Sequence, residues 1–217
     1  MKYTRQYIVG AILLAGFLLA YFDLKPVSSQ MQVYSLWPSV SDSTFSSAIL
    51  SDTDTQSVEL GVKFGSNVPG KIIAIRFYRG VRIDSGYPVH LWDDLGNLLG
   101  NGISIEGQQP TPGWQTVQLY PPVSIDAGKT YIASYYANGG QYSVNENFFQ
   151  PKEGTDFAFE DSSLSVSDNP LYALCNRSLI NDEYKCKNGV YKYGLSGFPT
   201  ESYKSSNYWV DVIFQPD

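Results

Sequence analysis

Four carboxylates, a single histidine, two cysteines and a surplus of aromatic rings are the side chains that could do chemistry or hold a ligand in this chain. Asp52, Asp54, Glu59 and Asp211 stand in or beside strand-like text, where a carboxylate on an inward or edge position needs a cation or a hydrogen-bonding partner. In YWVDVIF (208–214) Asp211 falls on the face of Trp209 and Ile213, while Tyr208, Val210, Val212 and Phe214 make the other face uniformly apolar. Glu59 with Asp211, helped by Asp52 or Asp54, would form a hard-oxygen site for a structural calcium tying an early strand to the last one. The competing reading makes SDTD (51–54) a solvated turn and Asp211 a surface residue, and the lack of an ordered ligand loop favours it. No other cofactor is implied.

The aromatic residues offer a different chemistry. Trp37, Trp92, Trp114 and Trp209, with Tyr135, Tyr136, Tyr142, Tyr191 and Tyr193, could supply a platform on which sugar rings stack while amides and carboxylates bind the hydroxyls. Most of the tryptophans sit inside strand patterns, where core packing is the simpler role. Tyr142, next to NGG (138–140), and Tyr191 and Tyr193, close to predicted turns, are better placed, and with Trp92 they are the candidate ligand-binding residues.

His90 has no companion motif of the G-x-S-x-G or H-E-x-x-H kind, so it reads as a strand histidine rather than a member of a triad or a metalloprotease site. No catalytic residue is assigned. Glycoside hydrolysis needs only two carboxylates at a suitable separation, which sequence does not reveal, so a carboxylate-based hydrolase stays open. Cys175 and Cys186 have ten residues between them in a polar segment. If the domain is exported they are expected to form a disulfide, which would add about 3 kcal/mol by restricting the unfolded chain. If it faces the cytoplasm they are free thiols, and a zinc site is not expected from two thiols and a distant His90.

The elements that must position these groups are strands. From Val33 onward the apolar residues alternate or form short runs cut by turn residues, and nothing sustains helical spacing. Strands are predicted at 57–64, 71–78, 88–92, 98–105, 114–120, 130–136, 141–144, 190–193 and 208–214, with turns at NVPG (67–70), DDLG (93–96), PTPG (110–113), DAG (126–128) and NGG (138–140). Residues 150–169 read as a long loop, with one short strand near 157–159. Short connections favour antiparallel pairing, and the expected fold is an all-β, two-sheet antiparallel β-sandwich of jelly-roll or immunoglobulin-like type behind one N-terminal hydrophobic helix.

That helix carries an address. Lys2 and Arg5 precede an uninterrupted apolar run at 7–22, closed by Asp23, Lys25 and Pro26, and Val27, Ser28 and Ser29 offer small residues before a cut. Residues 1–29 are therefore expected to be a signal peptide cleaved after Ser29 or, since 16 apolar residues are a little short to span comfortably, an uncleaved anchor that touches the membrane only through 7–22. Residues 30–217 make one domain, secreted or held at the cell surface. A net charge of -6 with singly scattered Lys and Arg excludes a phosphate-gathering stripe, and nucleic acid is not an expected partner.

Five strand segments together resemble a known family: VELGVKF (58–64), IRFYRG (75–80), GWQTV (113–117), AGKTYIASY (127–135) and NYWVDVIF (207–214). In order and spacing they are similar, across 36–214, to the bacterial extracellular domain-of-unknown-function family 4082. The resemblance implies a β-sandwich module of exported bacterial proteins, often beside carbohydrate-active or adhesive domains, with no defining activity. The expected function is a non-catalytic extracellular binding module for glycans or cell-surface polymers. The alternatives are a structural or adhesive module that contacts surface proteins, and the carboxylate-based hydrolase.

Overall fold

Period-two apolar patterning cut by Gly, Pro, Asn and Asp gives strands and tight reversals, and the chain folds accordingly. The computed structural model describes residues 32–37, 50–80, 86–105, 112–149, 168–174, 177–180 and 183–217, all within the compact unit Met31–Asp217. The expected export segment with its cleavage position, the segment at 150–167 and Cys175 lie outside the described residues.

Among the described residues there is no helix, and so none long and apolar enough to cross a membrane. Fourteen strands follow one another: β1 (Leu50–Ser51), β2 (Val58–Ser66), β3 (Gly70–Arg79), β4 (Pro88–Asp93), β5 (Leu98–Ile103), β6 (Gly113–Ile125), β7 (Tyr131–Ala137), β8 (Ser143–Val144), β9 (Leu171–Ala173), β10 (Arg177–Ile180), β11 (Glu183–Cys186), β12 (Val190–Tyr193), β13 (Glu201–Ser202) and β14 (Val210–Pro216). A seven-stranded sheet runs β13-β12-β2-β7-β4-β5, with β9 also on β2, and a three-stranded sheet runs β14-β3-β6. β1 pairs β8 and β10 pairs β11 in two small ribbons, and every pairing is antiparallel.

β2 shows why the sheets take their positions. Val58, Leu60, Val62 and Phe64 are buried in the main core, so Glu59, Gly61 and Lys63 must point to the opposite face. β7 pairs one edge of β2, while β12 and β9 share the other end to end. The side chain of Asn188 fills the gap between them, accepting from the Lys63 amide at 3.0 Å and donating to its carbonyl at 2.9 Å, as a strand backbone would. The two sheets enclose one apolar core, with Ile72, Ile75, Phe77, Val117, Leu119, Val210, Val212 and Phe214 from the small sheet. Phe77 stacks on Tyr135 across the interface at a centroid distance of 4.3 Å. This is the arrangement of a β-sandwich.

The small sheet is too narrow to cover the large one. β14 lies against β2 and β7, β3 against β7 and β4, and β6 against β5, so the overlap ends near β2, while β12 and β13 extend past it. Where the sheets meet most closely, at β5 and β6, a Cβ on Gly102 would come within 2.7 Å of Val117, and only glycine fits.

Several elements depart from the sequence reading. β6 continues to Ile125 instead of ending at Tyr120, because its prolines fall where the register against β3 slips, between Ile72 and Ala74, on an edge strand where a missing N–H costs little. The last strand begins at Val210 rather than at 208, since Trp209 takes a φ of 53° and breaks the extended run. β1, β9, β13 and the β10–β11 ribbon were not expected; they are short or polar and are fixed by their partners rather than by their own pattern.

Asp211 is not the surface residue expected of it. It is fully buried on the outer face of β14, beneath residues 34–37, which are bound to the strand through the Tyr34 and Phe214 backbones. Arg76 reaches it from β3 with Nε at 2.8 Å and Nη2 at 2.6 Å, and the amides of Leu36 and Val212 each donate at 2.7 Å. Burial pushes its carboxyl up from the ordinary value, and Arg76 and the two amides oppose that shift. Asp211→Ala would leave Arg76 without its carboxylate and untie the 34–37 segment, and is expected to lower unfolding free energy by about 3 kcal/mol in urea titrations, with Asp211→Asn losing less.

Candidate functional site

The four acids weighed as a calcium set do not come together. Glu59 lies on the outer face of the large sheet and Asp211 on the outer face of the small one, with the core between them, while Asp52 and Asp54 sit in the loop after β1. Among the described residues no three His, Cys, Asp or Glu side chains are gathered as a metal group.

Glu59 is the centre of a buried polar cluster. The register places Tyr136 and Lys192 beside it, and Ser134, paired with Gly61 and His90, one step along the same face. Ser134 Oγ donates to Glu59 Oε1 at 2.6 Å, His90 Nδ1 lies 2.8 Å from the same oxygen, and Ser196 Oγ donates to Oε2 at 2.9 Å. Trp92, a ligand candidate from its sequence, is buried here, giving its indole N–H to Ser134 Oγ at 2.8 Å and packing edge-on against Phe198. The stretch at 194–198 is held over this face by Tyr136 bonding to the Gly194 carbonyl and Lys192 to that of Leu195. Acid, histidine and serine are all present, yet the serine proton is directed at the carboxylate rather than at the imidazole, and Ser134 is fully buried. This wiring fastens a loop to a sheet and does not prepare a nucleophile.

The second cluster occupies the inner face that the small sheet leaves open. Tyr191 and Tyr193 of β12 stand opposite Leu60 and Val58 of β2, so both rings share the inward face. With Tyr142, Tyr203, Tyr208, Asp52, Asp54, Glu146, Val144 and Ser206 they line a cavity of about 420 Å³ floored by Val58 and Leu60. Three of the four candidate ligand residues, Tyr142, Tyr191 and Tyr193, thus meet in one pocket together with Asp52 and Asp54; Trp92 does not. Tyr203, Tyr208, Glu146 and Ser206 were not singled out from sequence. Tyr208 had a signal in its apolar-face position in YWVDVIF, whereas Glu146 and Ser206 had none.

Local turns hold the acids. The Asp54 amide donates to Asp52 Oδ1 and the Gln56 amide to Asp54 Oδ1, both at 2.8 Å, in successive Asx turns. Gln141 N donates to the Asp54 carbonyl at 2.7 Å, an approach so close that a Cβ on Gly140, at a φ of 68°, would lie 2.1 Å from that oxygen. Tyr193 donates its hydroxyl to Asp54 Oδ2 at 2.5 Å and is itself bonded to the Tyr142 hydroxyl. Burial pushes the hydroxyls of Tyr142, Tyr191 and Tyr208 up from the ordinary value, with the bond to Tyr193 adding to the effect at Tyr142; at Tyr193 the bond to Asp54 is the main cause.

The fold and these two clusters define a two-sheet antiparallel β protein with a tyrosine-rich pocket beyond the edge of its smaller sheet. The family described as a domain of unknown function (DUF4082) matches residues 44–210, and the chain belongs to that family, as its strand segments indicated. No curated protein matches the chain. The disulfide expected between Cys175 and Cys186 involves a position outside the described residues; Cys186 ends β11, opposite Arg177.

Glu59→Ala would leave Ser134, Ser196 and His90 without their acceptor and is expected to cost about 3 kcal/mol in urea denaturation. The raised tyrosines set an alkaline limit. Unfolded, they ionise at about pH 10, and folded they keep their protons above that, so the unfolded chain binds fewer protons and stability falls as pH rises past about 10. Melting temperature should decline there, with tyrosinate absorbance rising together with loss of near-ultraviolet dichroism.

Proposed function

We propose that this protein is a non-catalytic saccharide-binding module that works outside the cell, with the tyrosine pocket as its site. The convergence of five tyrosines with three carboxylates and Ser206 around one cavity carries the reading. Pyranose rings present C–H faces that pack on aromatic rings, and their hydroxyls bind carboxylates and serine, so a pocket with both kinds of lining matches a sugar on both counts. A volume of about 420 Å³ is in the range of small-ligand sites. Among the described residues no Lys or Arg lines the cavity, and Lys204 at its rim is already paired with Glu146, which disfavours phosphate-bearing polymers. The extracellular setting is supported by the sequence of residues 1–29, and the Cys175–Cys186 disulfide follows from it.

Tyr191→Ala and Tyr193→Ala are each expected to weaken glycan binding about tenfold by calorimetry, from the loss of one stacked ring. A glycan array with no signal above background for the wild-type domain would sink the proposal.

A structural or adhesive role draws on another surface. Among the described residues β5 is the last strand of the large sheet on its side, and Leu98, Ile103 and Ile105 are exposed along it, near an almost fully exposed Tyr120. Size-exclusion chromatography with light scattering would register self-association through that edge.

A further inference from the structure

We infer that the tyrosine pocket recognises a protonated amine, so that its ligand is an amine-bearing saccharide of the de-N-acetylated glucosamine class. This rests on the saccharide reading and narrows it by charge.

Ring geometry is the first ground. Tyr142 meets Tyr208 at 76°, Tyr208 meets Tyr191 at 73°, and Tyr191 meets Tyr193 at 71°, with centroids 5.9, 6.4 and 5.5 Å apart. Near-perpendicular rings make the walls of a box rather than a flat platform. Rings set at such angles let a sugar stack on one of them while its ammonium meets the face of another.

Charge is the second. Asp52 and Asp54 line the cavity beside Glu146, whose charge Lys204 offsets at the rim, and among the described residues no basic side chain is in the lining itself. A neutral sugar entering beside these carboxylates would displace their water without offsetting their charge, while an ammonium offsets both. The net charge of -6 also draws cations towards the domain.

The protein supplies a precedent at the rim. Lys204 places its ammonium 2.8 Å from Glu146 Oε2 and 4.9 Å from the centroid of Tyr203, both of them pocket residues. An amine held between a carboxylate and a tyrosine face is the contact required of the ligand. The hydroxyls offer less, since Tyr142 is bonded to Tyr193 and Tyr193 donates to Asp54. With Lys204 on Glu146 and Tyr203, the charge of Asp52 and Asp54 and the rings of β12 are what the pocket offers a guest.

Calorimetry of the wild-type domain with a glucosamine hexamer and with its fully N-acetylated counterpart, at a pH where the free amines are protonated, tests this directly. The free-amine oligomer should bind at least tenfold more tightly, and the advantage should vanish once the amines are deprotonated. Tetramethylammonium should compete, and sodium at equal ionic strength should not. Asp52→Asn keeps an oxygen for the Asp54 amide while removing one charge; it should weaken the free-amine oligomer about fivefold more than it weakens the acetylated one. If that variant misfolds, Asp54→Asn, which keeps an oxygen for the Gln56 amide, serves the same purpose. Equal affinity for the two oligomers would overturn the amine inference while leaving the saccharide reading standing. Binding of tetramethylammonium with neither oligomer bound would overturn the amine-bearing saccharide, and with it the saccharide reading of this pocket.

Discussion

A three-stranded sheet facing a seven-stranded one cannot cover it, and much of this protein follows from that mismatch. Neighbouring strands are about 4.8 Å apart, so each strand lacking an opposite leaves a strip of inner face that must find another cover. Here β14 closes the core over β2 and β7, and the strip beyond it belongs to β12. Val58 and Leu60 remain apolar there, but the next residues inward are tyrosines, whose rings bury apolar area while their hydroxyls reach polar partners. The β1–β8 ribbon and the stretch at 203–208 wall the strip without filling it, and a cavity results.

The outer faces answer a related problem. Among the described residues each sheet carries one fully buried carboxylate on its outside, Glu59 on the large and Asp211 on the small, and each is covered by an irregular segment rather than by a strand. A segment lacking ladder hydrogen bonds needs directional anchors, and a buried carboxylate provides several acceptor positions at one point. Asp211 binds residues 34–37 through the amides of Leu36 and Trp37, and Glu59 binds the stretch at 194–198 through Ser196. The same residue type serves as a fastener outside and as a candidate ligand group within. What separates the roles is solvent access: Glu59 and Asp211 are sealed, whereas Asp52 and Asp54 border an open cavity.

Pocket and loop anchor are also linked through β12. Tyr191 and Tyr193 point into the cavity while Val190 and Lys192, on the same strand, face the Glu59 side and the covering segment. Period-two alternation therefore lets four residues hold an outer loop with one set of side chains and line a binding cavity with the other.

Alternation, turn residues and composition were enough to establish an all-β chain and most of its main strands, because a strand that buries one face carries that face in its own residues, and the resemblance of five of those segments pointed to the family that matches 44–210. They also marked Tyr142, Tyr191 and Tyr193, since tyrosines near turns are cheap to recognise. What local pattern could not carry is which strands lie opposite which. Only the tertiary structure decided that Glu59 and Asp211 stand on opposite outer faces, that Trp92 is bonded to a buried serine, and that Glu146 and the neighbouring pair Tyr203 and Tyr208 close one cavity with the distant Asp52 and Asp54. Those outcomes depend on the width of one sheet relative to the other and on pairings between distant segments, and neither is encoded in the spacing of neighbouring residues.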